Sequence, residues 1–157
     1  MDLQIETDVR CSPAVLWQWL TEPERMKQWI KGFVSVEPSD PRVTKAGMTA
    51  KVTMQDRGKL VVCDERILEW EPHRRILLSL TTPQWSGIEM VLGYRLEDLG
   101  GSTRLVHTFG CRTTRTLFKV IKVLATPFTF LAKMQARGTM KTLKRLAEGG
   151  SVAVTAA

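Results

Sequence analysis

The sequence predicts an α+β fold: an antiparallel sheet of six to seven strands, two short helices after the first strand, and one long C-terminal helix laid across the sheet. Two observations carry this. Apolar and polar residues alternate in segment after segment up to Cys111, and from Gly32 onward turn residues alone separate those segments. After Thr113 the period of two disappears and the chain reads as helix. Connections this short join antiparallel neighbours in a meander, since parallel crossovers need a dozen residues or more.

The first strand is Leu3 to Arg10, where Leu3, Ile5, Thr7 and Val9 alternate with Gln4, Glu6, Asp8 and Arg10. Ser12 followed by Pro13 is an N-cap with proline at the first helical position, and Val15, Leu16, Trp19 and Leu20 make the apolar stripe behind it. Thr21 reads as a second cap, with Glu22 and Glu24 favouring the helix dipole, and this helix runs to about Ile30.

Phe33 to Glu37 is the next strand, closed by Pro38-Ser39-Asp40-Pro41. Met48, Ala50, Val52 and Met54 share one face of another, which turns through Asp56-Arg57-Gly58 into a strand from Lys59 to Trp70. After Glu71-Pro72-His73 come Arg75 to Thr81 and then the alternation of Ile88, Met90, Leu92, Tyr94 and Leu96. Gly100-Gly101 leads into the last strand, with Thr103, Leu105, His107, Phe109 and Cys111 on one face.

An apolar sheet face of this size must be covered, and the stretch from Thr113 to Glu148 is the element long enough to do so. Thr126 and Pro127 look like a fresh start within it, so it is either one kinked helix or a shorter helix over 114–125 followed by a long one. Phe128, Leu131, Gln135, Gly138, Thr142 and Arg145 fall on one stripe, with Met134, Leu143 and Leu146 beside it.

Composition sets the outer bounds. A chain of 157 residues that is 43% hydrophobic and 25% charged fits a single domain, here residues 1–148 with a flexible tail over 149–157. The start lacks a basic region followed by an apolar run, and three widely spaced cysteines (Cys11, Cys63, Cys111) suit small buried residues in a reducing compartment; a cytoplasmic location is expected. No run of apolar residues is long enough to span a bilayer, the nearest being broken by Lys119, Lys122 and Lys133. The net charge of +7 belongs to the C-terminal part, where nine Lys or Arg from Arg112 onward face one acid, Glu148. That composition allows a solvated face or transient contact with an anionic membrane surface. Nucleic acid is not an expected partner, because Phe118, Phe128 and Phe130 suit burial better than base stacking. The apolar residues around Phe118, Val120 and Val123 suit either a lid or the seam of a homodimer.

Several short motifs recur in one order along the chain: Ser12-Pro13-Ala14-Val15-Leu16-Trp17 with Leu20, Pro23-Glu24, Trp29, Arg66-Ile67-Leu68-Glu69-Trp70-Glu71-Pro72, Tyr94-Arg95-Leu96, Gly101-Ser102-Thr103-Arg104-Leu105 and Leu143-Lys144-Arg145-Leu146-Ala147-Glu148. In this order they resemble the START-like, or SRPBCC, superfamily, and within it the bacterial polyketide cyclase/dehydrase-like group, over residues 3–148. The resemblance implies a helix-grip fold, in which the sheet curls around the terminal helix and leaves a cavity for a lipid, polyketide or other greasy molecule. It implies no catalytic signature that can be carried over by residue.

Given such a cavity, strand parity aims Val52, Met54, Met90, Leu92, Leu105 and Phe109 into it as ligand-binding residues, and the helix stripe adds Phe128, Leu131, Met134 and Gln135. Trp29 lies where the superfamily often closes one end of the pocket. Trp19 suits the core; Trp17 and Trp85 suit an exposed rim. Inward His107 and Tyr94 are the candidate catalytic pair for a cyclase or aromatase, as general acid/base and enolate-stabilising donor, or else satisfied core side chains. His73 reads as an exposed turn residue, and Asp64, Glu65, Glu69 and Glu71 read as solvated outer-face charge. Histidines and cysteines without metal-ligand spacing, and the lack of a phosphate-binding loop or nucleophile elbow, lead to an expectation of no cofactor and no metal. The function expected first is binding of a hydrophobic small molecule. An enzyme of the cyclase type and a membrane-surface lipid carrier are the alternatives.

Overall fold

The computed structural model describes residues 3–113 and 126–155, except for the side chains of 85, 126–132 and 150–155. In chain order they form β1 (Leu3–Val9), α1 (Pro13–Thr21), α2 (Pro23–Trp29), β2 (Phe33–Pro38), β3 (Thr49–Asp56), β4 (Lys59–Glu71), β5 (Arg75–Thr81), a single 3-10 turn (Pro83–Trp85), β6 (Ile88–Asp98), β7 (Thr103–Thr113) and α3 (Thr126–Thr155). The strands make one curved antiparallel sheet in the order β1-β7-β6-β5-β4-β3-β2. β1 and β2 are therefore opposite edges, and α1 and α2 carry the chain from one edge to the other.

Local chemistry sets the turns. β3 and β4 are joined by the two-residue hairpin Arg57-Gly58, with φ of 48° and 79°, the positive pair whose twist matches that of the strands. Gly32, at φ 81°, lies so close to β3 that a Cβ would stand 2.4 Å from the Gln55 carbonyl oxygen, while its own carbonyl accepts the Gln55 N–H at 2.7 Å. Only glycine satisfies both the backbone conformation and that approach.

α1 starts as its sequence indicates, with Ser12 Oγ accepting the Val15 N–H at 3.3 Å and Pro13 in the first turn. Thr21 is not the cap of α2. It is the last residue of α1, its hydroxyl donates to the Trp17 carbonyl at 2.8 Å, and Glu22 takes the cap position. Thr21 is still within α1, whereas Glu22, with φ of -84° and ψ of 120°, has the extended backbone that a cap requires.

The main core joins Ile5 and Val9 of β1, Leu16, Trp19 and Leu20 of α1, Leu105 of β7 and Leu143 of α3. Leu16 and Leu143 are 0% exposed and Leu105 1%, each contributing about 1.5–3 kcal/mol by burial. Trp17 belongs to this core and not to a rim: α1 packs against α2, α3 and β6, and the Trp17 ring meets Trp70 edge-on at 5.0 Å. His73 is an exposed turn residue with φ of 63°, its ring 5.9 Å from that of Trp17. Cys11 and Cys63 are buried, whereas Cys111, near the end of β7, is exposed.

The seating of α3 determines what the sheet encloses. Among the strands it packs mainly on β1, and it touches α1 and α2. Glu148 accepts the Arg10 backbone N–H at 3.1 Å and pairs with Lys144 at 3.0 Å, while Lys144 also donates to the Asp8 carbonyl. Burial tends to raise the Glu148 carboxyl, but the Arg10 N–H, Lys144 and the Arg10 guanidinium outweigh it and hold the carboxyl at about 2. The buried stripe of α3 is Met140, Leu143 and Ala147, in steps of three and four, rotated from the stripe that starts at Phe128 and includes Gln135 and Thr142. The helix runs on past Gly149 to Thr155, through most of the stretch expected as a tail. Residues 114–125, with the connector or lid and the Phe118, Val120 and Val123 seam, lie outside the described residues. No helix among the described residues is long and apolar enough to cross a membrane.

Candidate functional site

Because α3 grips the β1 side, the inner face of the central strands meets open space. The result is a cavity of about 520 Å³ bounded by the α1–α2 junction, the inner faces of β2 through β7, and one turn of α3. Trp29, Val52, Met54, Met90, Leu92 and Phe109 line it, as do Tyr94 and His107. Val52 and Met54 come from β3, Met90, Leu92 and Tyr94 from β6, and His107 and Phe109 from β7.

The other positions taken from the sequence fall elsewhere. Leu105 has inward parity but is buried in the main core with Leu143, and it does not line the cavity. Met134 is 55% exposed and Gln135 is exposed as well; the cavity-lining residues of α3 are Ala136, Thr139 and Met140. The reason is rotational, since a helix buried along Met140 and Leu143 turns position 134 away from the sheet. The side chains of Phe128 and Leu131 lie outside the described residues.

Tyr94 and His107 are directly opposed on β6 and β7, and their rings stack at 4.7 Å with planes 14° apart. Trp29 meets the other side of the site, edge-on to Tyr94 at 6.3 Å, and its Nε1 donates to the Trp19 carbonyl at 2.8 Å. That bond fixes the last turn of α2 on α1 and, with it, one wall of the cavity. His107 Nδ1 is 3.1 Å from the Gly93 carbonyl, which can only accept, so Nδ1 carries the proton and Nε2 is the free acceptor of the neutral ring. Burial lowers the His107 pKa, against a smaller upward pull from that carbonyl, and keeps the ring neutral. Burial, with the negative charge of Glu65 adding to it, raises the Tyr94 phenol and keeps it protonated.

Glu65 is the site residue that outer-face reasoning misses. It is not solvated charge: it lines the cavity, and desolvation raises its carboxyl pKa. The signal was available in the strand itself. Cys63 and Ile67, two residues to either side, are both buried, so Glu65 shares their inward face while Asp64 points out and pairs with Lys51. Its cross-strand partners are Ala50 and Leu80, both cavity residues.

Glu65, Tyr94 and His107 are the ionisable side chains of the described lining, in a wall that is otherwise mostly apolar. Such a site can hold a greasy molecule and orient a polar group on it through one carboxyl, one phenol and one imidazole nitrogen. Among the described residues, no cluster of three or more His, Cys, Asp or Glu could hold a metal ion.

A curved antiparallel sheet holding a C-terminal helix, with two short helices closing a cavity, defines a helix-grip protein of the START-like (SRPBCC) superfamily. The profile of the family described as Activator of Hsp90 ATPase homolog 1-like protein matches residues 10–146, and the chain belongs to this AHSA1-like family. Uncharacterized proteins of Mycobacterium tuberculosis and Mycobacterium bovis are 26% identical over 143 residues, 88% of this chain and 79% of each relative. Among crystal structures, a protein of Thermus thermophilus superposes with a TM-score of 0.69 at 18% identity, covering 96% of this chain and 99% of that one. DynU16, from the dynemicin biosynthetic locus, gives 0.68 at 21% identity and covers 96% of this chain and 48% of its own. At these identities the structural likeness speaks for the fold alone.

Proposed function

We propose that the chain binds a hydrophobic small molecule of the lipid or polyketide kind between the sheet and α3. The observation that carries this reading is the cavity of about 520 Å³, within the size range of small-molecule sites and lined mostly by apolar side chains with a few convergent polar ones. Met26, Met48, Met54, Met90 and Met140 add flexible, polarizable surface that adapts to ligand shape. Native mass spectrometry of the purified protein tests it. A copurified apolar species, or saturable uptake of an apolar fluorophore, is expected; an empty protein that takes up no such probe removes the reading.

A second reading, an enzyme of the cyclase or aromatase type, is favoured by the stacked Tyr94–His107 pair on the cavity wall. Nε2 of neutral His107 would take a proton from a carbon next to a carbonyl, and the Tyr94 hydroxyl would donate to the enolate oxygen. His107→Ala then abolishes turnover while leaving binding intact; equal loss of both argues for binding alone. A membrane-surface carrier draws support from Arg137, Lys141 and Arg145, exposed at roughly one-turn spacing along α3. Flotation with anionic vesicles at low and high salt decides it, failure to bind at either salt removing that role.

A further inference from the structure

We propose that the cavity selects an apolar ligand carrying a hydrogen-bond donor, an alcohol or an amine, held against Glu65, and rejects ligands with a carboxylate head such as free fatty acids. The proposal rests on the binding reading above and concerns which polar group the bound molecule carries.

Glu65 is placed by the strand. Its neighbours along the inner face are the buried Cys63 and Ile67, and its neighbours across the sheet are Ala50 and Leu80. All the groups nearest to it by sheet geometry are therefore thiol or hydrocarbon. Among the described residues its carboxyl has no hydrogen-bond or ion-pair partner, and no Lys or Arg lines the cavity. Glu65 is half-buried, so water can reach its carboxyl in the empty cavity, and an apolar molecule that displaces this water leaves the carboxyl costly unless the molecule itself satisfies it. Glu65 lines the open volume of the cavity, so a donor on the bound molecule can take the place of that water.

His107 adds to the same bias. His107 spends its Nδ1 proton on the Gly93 carbonyl and presents Nε2, an acceptor. Tyr94 and the threonines of the lining carry hydroxyls that donate or accept, and Trp70 carries an indole N–H donor. A carboxylate head would bring a second acid into a cavity that already holds Glu65, with no cation among the described lining to offset it. A hydroxyl hydrogen-bonds Glu65 without charge, and an ammonium pairs with its ionised form. Desolvation at Glu65 is consistent with this arrangement, since an acid there resists ionisation until a donor arrives.

The test is displacement of the uncharged fluorophore N-phenyl-1-naphthylamine from the full chain by decanol, decylamine and decanoate, which share one chain length. Decanol or decylamine is expected to compete about tenfold or more better than decanoate in the native protein. In Glu65→Leu that preference falls to within about threefold, and in Glu65→Gln decylamine loses about tenfold while decanol is held through the amide. Circular dichroism of both variants checks folding, and the near-isosteric Gln variant serves if Leu disturbs the sheet. Equal competition by decanoate in the native protein overturns the proposal, as does an unchanged preference in the folded variants. In either case uptake of the fluorophore leaves the binding reading standing. No uptake of the fluorophore by native protein, with no binding of the three decyl compounds by mass spectrometry, removes both.

Discussion

Tyr94 and His107 face each other across β6 and β7 with their rings 4.7 Å apart and nearly parallel. Burial lowers the imidazole's pKa against a smaller upward pull from the Gly93 carbonyl bonded to Nδ1, and Nε2 is left as the free acceptor. The pair is thus a fixed part of the cavity wall, and its protonation is tied to folding.

The first prediction follows from that tie. The His107 pKa is lowered in the fold, so below about pH 6.5 the unfolded chain takes up the proton that the folded chain resists. The unfolded state then binds more protons, and stability falls as pH falls. The urea midpoint should drop between pH 7.5 and 5.5, and His107→Gln should flatten the slope. Glu65 faces the same cavity and titrates with the opposite sign, so the comparison is made in a Glu65→Gln background, where Tyr94 stays protonated throughout.

Glu65→Gln itself should stabilise the empty protein. The folded pKa of Glu65 is raised, so as pH rises past the ordinary carboxylate range the unfolded chain releases its proton first and stability declines. Removing the acid is expected to add about 1 kcal/mol at neutral pH, or ~2–4 °C in melting temperature, read by calorimetry. A gain in stability together with a loss of amine binding would mark Glu65 as a group kept for recognition. Unchanged or lower stability would count against its being an unsatisfied cavity acid.

Glu148 should behave in the reverse way. Its carboxyl is depressed to about 2, so the stability it contributes is complete above the ordinary value of 4.5 and is lost as pH falls from there towards 2. Glu148→Ala should cost about 1–2 kcal/mol at neutral pH, because it removes the acceptor for the Arg10 N–H and the partner of Lys144. Acid denaturation followed by circular dichroism should show a shallower transition over that window in the variant.

Filling the cavity from the helix side tests where the ligand lies. Ala136 lines the cavity from α3, half-buried and packed at the margin of the main core, so Ala136→Phe projects a ring into the space. Binding of an apolar fluorophore should weaken by about tenfold or more with the helical signal unchanged. Full affinity in this variant would place the ligand elsewhere.

Much of this molecule was legible before folding was considered. The alternation at Met90, Leu92 and Tyr94 names a strand face, Ser12-Pro13 starts a helix, and the short turns dictate antiparallel order, because each of these is a local property of the backbone. Glu65 was legible too, through its parity with Cys63 and Ile67, but charge alone argues for solvent and hides it. Thr21 shows the limit of local signals: a capping residue between two helices serves whichever one holds its hydroxyl.

Residue order alone says which side chains share a face. Whether a face residue becomes core or cavity wall was decided by the tertiary structure. Leu105 and His107 are neighbours on the inner side of β7, yet Leu105 is sealed in the core that holds Leu143 while His107 opens on the cavity. The same holds on α3, where Met140 is buried and Met134 is exposed although both are methionines within two turns. The physical reason is that alternation and helical period arise within one element, whereas the rotation of α3 and its position towards β1 come from close packing among Leu16, Leu105 and Leu143 and from the Glu148 clasp on Arg10. Those contacts join residues far apart in sequence, and only once they form is there an inside for Glu65, Tyr94 and His107 to share.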